Sequence, residues 1–124
     1  MTEFTFKVFQ SNKVVFQSEK RWLLPLFDFE EYLALHPLDL PTVEVHDKVV
    51  GKAAALLIVR LGAGSVHARV MSKLGQRVLE LAGIPFTYDK LVERIDCRTE
   101  EILLNIDDSE TAYRILRERA HRAP

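Results

Sequence analysis

The spacing of apolar positions changes along the chain, and each change marks an element. Residues 3 to 9 and 14 to 17 are rich in Phe, Val and Thr, and Ser11-Asn12-Lys13 between them supplies turn chemistry, which predicts a β-hairpin. From Leu23 the apolar residues fall three and four apart, at Leu26, Phe29 and Leu33. Pro25 suits a first helical turn and His36-Pro37 stops the run, so a helix is expected over 23–35. Thr42-Val43-Glu44-Val45 alternates like a strand. Gly51 then opens a run from Lys52 to Val59 of nearly unbroken apolar helix formers, and a helix that is apolar all round has to be buried. Gly62 and Gly64 end it. Val66 to Met71 alternates again, Ser72 is placed to cap a helix carried by Leu74, Val78 and Leu81 that closes at Gly83, and Ile84-Pro85-Phe86-Thr87-Tyr88 reads as a fifth short strand. In the tail a helix is expected near Thr99 to Leu104 and another from Ser109, where Asp107, Asp108 and Ser109 offer caps.

The order up to residue 88 is β-β-α-β-α-β-α-β. Strands separated by helices return parallel through right-handed crossovers, so the expected fold is α/β, a three-layer α/β/α sandwich around a mixed five-stranded sheet. A chain of 124 residues has room for one domain, residues 1–124, and contains no repeat, low-complexity run or linker.

Charge narrows the partners. Seventeen basic against eighteen acidic residues leave a net charge of −1, so the footprint of a duplex nucleic-acid binder is missing while a local anion site stays open. Arg114, Arg117, Arg119 and Arg122 gather near the end, but Glu110 and Glu118 lie among them, as on a solvated helix face. The single cysteine, Cys97, forms no internal disulfide, and the opening Met-Thr-Glu-Phe-Thr lacks the layout of a signal peptide. The uncharged stretch of the apolar helix, Ala53 to Val59, is too short for a membrane span, and no uncharged stretch exceeds eight residues, so a cytoplasmic protein is expected.

The passage Asp47-Lys48-Val49-Val50-Gly51-Lys52-Ala53-Ala54-Ala55 resembles the signature of an uncharacterised prokaryotic family, domain-of-unknown-function family 1893 (DUF1893). Lys13-Val14-Val15-Phe16, Ser18, Pro25-Leu26, Gly83-Ile84-Pro85, Tyr88-Asp89-Lys90-Leu91-Val92 and Asn105-Ile106-Asp107-Asp108 extend the resemblance over nearly the whole chain. It implies a cytidine-deaminase-like fold. Zinc deaminases hold their metal with a His or Cys before a catalytic Glu at one helix start and Pro-Cys-x-x-Cys at the next. Here those places hold Gly51-Lys52-Ala53 and Met71-Ser72-Lys73-Leu74-Gly75, so neither zinc nor deamination is expected. His36, His46, His67 and His121 show no paired ligand spacing, and no metal or other cofactor is expected; Gly62-Ala63-Gly64 is a turn rather than a nucleotide-binding loop.

Ligands of open α/β sheets settle at the carboxyl ends of parallel strands, where helix starts point free amides. The candidate binding residues are therefore Asp47, Lys48, Gly51, Lys52 and Ser72. Gly51 allows close backbone approach, Lys52 offers a cation, and Ser72 a hydroxyl and amides, which together would cradle a small anionic or nucleotide-like ligand. The same residues also admit purely structural roles: helix packing for Gly51, a surface pair for Asp47 and Lys48, a cap for Ser72. A second reading is an enzyme of thiol chemistry or group transfer. The resemblance places a cysteine in a Cys-Pro-Met-Glu-like motif, matched in part by Cys97-Arg98-Thr99-Glu100, with Cys97 as nucleophile and Glu100 as general base. A Ser72-His46-Asp47 triad is excluded because neighbouring strand residues point to opposite faces. A third reading is an interaction module, a homodimer through the hairpin edge or through Trp22, Phe27 and Tyr32.

Overall fold

The computed structural model describes residues 4–95, 102–103 and 105–122. Strands β1 (Phe6–Gln10) and β2 (Lys13–Ser18) form the expected hairpin. Ser11 and Asn12 both take positive φ, 53° and 64°, as a two-residue hairpin turn that follows the twist of its strands requires. Helix α1 (Leu24–Leu35), strand β3 (Val43–Val50), helix α2 (Lys52–Leu61), strand β4 (Ser65–Ser72), helix α3 (Lys73–Ala82) and strand β5 (Phe86–Val92) follow in the expected order. A last helix, α4 (Ser109–Arg122), covers the tail. The helix expected over Thr99 to Leu104 lies outside the described residues except at Ile102 and Leu103.

The sheet order is β2-β1-β3-β4-β5, with β1 antiparallel to both neighbours and β3, β4 and β5 parallel. Sequence alternation ends at Val45, yet β3 runs on to Val50. The strand is central, so its backbone is held on both sides: Asp47 lies opposite Phe6 on β1 and Ala68 on β4, and Val49 opposite Val70. Ladder hydrogen bonds override the polar run His46-Asp47-Lys48. This extension carries Asp47 and Lys48 to the strand end instead of leaving them in a loop.

The expected sandwich with helices on both faces is corrected by the packing. Every crossover, β2 to β3, β3 to β4 and β4 to β5, steps in the same direction across the sheet, and right-handed connections of that kind put their helices on one face. Phe6 of β1 and Phe16 of β2 accordingly pack on Phe29 of α1, while α2 lies in contact with α1, α3 and α4. The described helices thus form two tiers on one side: α1, α2 and α3 against the sheet, and α4 over α2. The other face carries polar side chains, Glu44 and Arg69 exposed and His46 and His67 half-buried, with Phe9, His46 and His67 in a row at ring separations of 4.6 and 5.3 Å. His46 and Asp47 do point to opposite faces.

All-round burial of α2 follows from its place between these tiers. Residues Lys52 through Ile58 are buried, with Ala55 and Ile58 fully so. Helix α4 is docked by polar contacts at its margins: Arg60 of α2 pairs with Glu30 of α1 at 2.5 Å and Glu110 of α4 at 3.2 Å, and its guanidinium lies 3.5 Å from the Tyr113 ring centre. Asp108 starts α4, its carboxylate accepting from the Thr111 hydroxyl at 2.6 Å and the Thr111 amide at 2.9 Å. Those bonds, the hydroxyl's first, hold its carboxyl below the usual range.

Candidate functional site

A cavity of about 770 Å³ opens at the carboxyl ends of the parallel strands, within the range of small-molecule sites. Val49 and Gly51 bring the end of β3 to it, Val70 the end of β4, Val92 and Arg94 the end of β5, and Thr5 with residues 20–23 forms the wall beside the hairpin. Its polar lining is one-sided. Among the described residues, Lys20, Arg21, Lys48 and Arg94 face it against one acid, Asp47, in a chain whose total charge is −1. Lys20 is engaged with Asp28 at 2.7 Å, whereas Arg21, Lys48 and Arg94 are exposed and make no ion pair among the described residues. Such a cluster attracts anions and is kept apart only by solvent when none is bound.

Asp47 sits deeper. The residue is half-buried, and the loss of hydration there pushes its carboxyl up to about 7, while the amides of Lys48 and Val49 pull the other way. The start of α2 adds dipoles: Gly51 has no side chain to cap the helix, and Ala53 and Ala54 of the first turn line the cavity. First-turn amides have no partner within their helix. Between strand end and helix, the extended Gly51 backbone (φ −100°) needs no glycine for its own sake, but Gly51 lies so close to Gly75 of α3 that a Cβ on Gly75 would be 3.0 Å from the Gly51 carbonyl.

Five residues from the sequence reading separate into two groups. Asp47, Lys48 and Gly51 line the cavity. Lys52 does not: it is 4% exposed and its Nζ meets Asp107 at 3.0 Å, which ties the approach to α4 onto α2. Ser72, fully buried, caps α3, its Oγ accepting from the Gly75 amide at 3.0 Å. Cys97 and Glu100 lie outside the described residues. Of the aromatics offered for an interface, Phe27 is buried in the core against Tyr113, and Tyr32 packs on Phe16, Phe29 and His36. The expectation of exposed aromatics is corrected for Phe27, which is buried, while Tyr32 stays half-buried.

Trp22 is different: the sequence offered it only for an interface, not for this cavity. It is 38% exposed, lines the cavity, and holds φ at 60°. For a bulky residue that backbone costs on the order of 1–3 kcal/mol. The surroundings enforce it: the Thr5 hydroxyl donates to the Lys20 carbonyl at 2.5 Å on one side, and Leu23 is buried on the other. The available signal was Lys20-Arg21-Trp22, a lone tryptophan directly behind two cations and between two elements. Arg94 had no such signal, since only the fold brings it there.

Among the described residues no three His, Cys, Asp or Glu side chains gather as a metal-binding group, and no described helix is long and apolar enough to cross a membrane. The family model TM1506, described as a domain of unknown function (DUF1893), matches residues 1–120. No curated protein matches the sequence. Among solved structures, the crystal structure of a DUF1893 family protein (TM1506) from Thermotoga maritima is similar, with a TM-score of 0.82 and 26% identity, covering 94% of this chain and 80% of that one.

Proposed function

The chain belongs to the DUF1893 family, and from that premise we propose that it binds a small anionic, nucleotide-like ligand in the cavity in front of Gly51, with no requirement that it transform the ligand. The observation that carries this reading is the one-sided lining: Arg21, Lys48 and Arg94 converge, without ion-pair partners among the described residues, on a recess that also receives the uncapped start of α2. An anion there neutralises three cations and satisfies first-turn amides at once. Asp47, Lys48 and Gly51 belong to this site; Ser72 is spent as the cap of the second helix start, and Lys52 supports the site by fixing α2 against Asp107.

The same reading takes the domain as deaminase-like with its zinc chemistry removed. In its support, the hairpin is followed by parallel strands whose two helix starts hold Gly51-Lys52-Ala53 and Ser72-Lys73-Leu74. None of those side chains is a thiolate, imidazole or carboxylate, so the residues there do not fit a zinc ion.

Thermal-shift titration with sulfate, pyrophosphate and ribose 5-phosphate tests the site. A ligand at a hundredfold excess over its Kd stabilises by ~2.7 kcal/mol, a rise of several degrees in a domain of this size. We expect that rise with at least one of the phosphates and its loss in the double variant Arg21→Ala, Arg94→Ala. No stabilisation by any of the three, or an undiminished one in the variant, refutes the assignment.

A further inference from the structure

Anion binding leaves Trp22 unexplained. It is the chain's single tryptophan, kept out of the core, on a strained backbone, on the wall of a cationic cavity. Leu23 beside it is buried in the ordinary way, so the sequence had an apolar anchor for this segment without exposing an indole. A rigid indole beside cations is the arrangement by which proteins hold a flat heterocycle that carries a phosphate: the ring stacks and the cations take the charge. Resting on the anion reading above, we propose that the ligand is a nucleoside phosphate whose base stacks on Trp22 while Arg21, Lys48 and Arg94 hold its phosphate.

Asp47 completes this assignment. Thr5 ties its neighbour to the tryptophan's segment, its carbonyl accepting from the Lys48 amide at 2.9 Å and its hydroxyl donating to the Lys20 carbonyl at 2.5 Å. Both side chains line the one cavity. An ionised carboxylate accepts N–H groups and donates none, so Asp47 favours a base edge rich in N–H donors, as in guanine, over one that offers only acceptors. The phosphate and this carboxylate repel each other, which sets them at opposite ends of the ligand. A cavity of about 770 Å³ has room for that separation.

Calorimetric titration of the full chain at pH 8 with ribose 5-phosphate and with guanosine 5′-monophosphate isolates the base, because both ligands carry the same phosphate. We expect the nucleotide to bind about ten- to a hundredfold more tightly, the range that stacking of one base supplies. Trp22→Ala should bring the nucleotide down to the level of the sugar phosphate and leave the sugar phosphate unchanged; Trp22→Phe should keep most of the preference. Equal affinity of the unaltered protein for the two ligands overturns the nucleotide assignment while the anion site stands. A loss of both ligands alike in Trp22→Ala also overturns it, since the indole would then only support the wall. Failure of both ligands to bind the unaltered protein overturns the anion site and this inference together.

Discussion

Helices α2 and α3 start at neighbouring strand ends from similar sequence, Gly51-Lys52 and Ser72-Lys73, and the two starts are finished in opposite ways. At α3 the Ser72 hydroxyl takes the Gly75 amide, the serine is fully buried, and Gly75 lies against the backbone of Val50 and Gly51. That start is closed and offers nothing to a ligand. At α2 no side chain caps the helix, the first turn faces a cavity, and cations gather beside a carboxyl that burial raises to about 7. Where the chain satisfies its own helix start it builds structure; where it leaves one unsatisfied beside unpaired cations it leaves a place for something else.

The largest effect that sharpens this contrast is at Asp47. Its carboxyl is raised from 3.8 to about 7 in the fold, so between those values the native state keeps a proton that the unfolded chain has lost. Stability therefore falls by at most about 1.4 kcal/mol per pH unit over that window as pH rises, and levels off above it. Asp47→Asn removes this dependence. The variant should match the unaltered protein near pH 4 and exceed it at pH 8 by on the order of 2–4 kcal/mol in urea unfolding. A difference equal at both pH values would mean that burial does not control this carboxyl.

A smaller loss should follow from breaking the closed start. A Cβ at position 75 would meet the Val50 carbonyl oxygen at 2.8 Å and the Gly51 carbonyl carbon at 3.0 Å, and backbone cannot step aside as a side-chain tip can. Gly75→Ala should cost roughly 1–3 kcal/mol and, by displacing Gly51, weaken sugar-phosphate binding as well. Unchanged binding in a destabilised variant would uncouple the two helix starts. The smallest effect is that of Ser72→Ala, about 1–2 kcal/mol for a lost cap over a buried amide. Its ligand affinity should stay where it was, as calorimetry would show; a loss of affinity would return the serine to the site.

Local chemistry was legible in the sequence wherever one residue decides its own surroundings. Ser72 as a cap, Gly62 and Gly83 as helix stops at positive φ, and the buried run from Lys52 all follow from neighbours within a turn. The strand through His46-Asp47-Lys48 was not legible, because its hydrogen bonds come from β1 and β4. Nor was the side of the sheet on which the helices lie, since that depends on the direction in which three crossovers step. The cavity was half legible. Asp47, Lys48 and Gly51 share one strand end, but Arg21, Trp22 and Arg94 arrive from far along the chain, and Lys52 turns away to an aspartate whose approach only the docking of α4 arranges.

That docking has a consequence for how the chain comes into being. Helix α2 is buried along most of its length, and its outer side is covered by α4, which is synthesised only after β4, α3 and β5. During that interval a growing chain carries an oily helix with no lid, a surface that holding chaperones recognise and that a neighbouring nascent chain can stick to. Lys52 at its head and Arg60 at its tail are the two charges on this segment; Lys52 meets Asp107, and Arg60 adds Glu110 to its earlier partner Glu30, with Asp107 and Glu110 both arriving with the later-made α4 segment. Emergence of the α4 segment from the ribosome is therefore the event that covers α2.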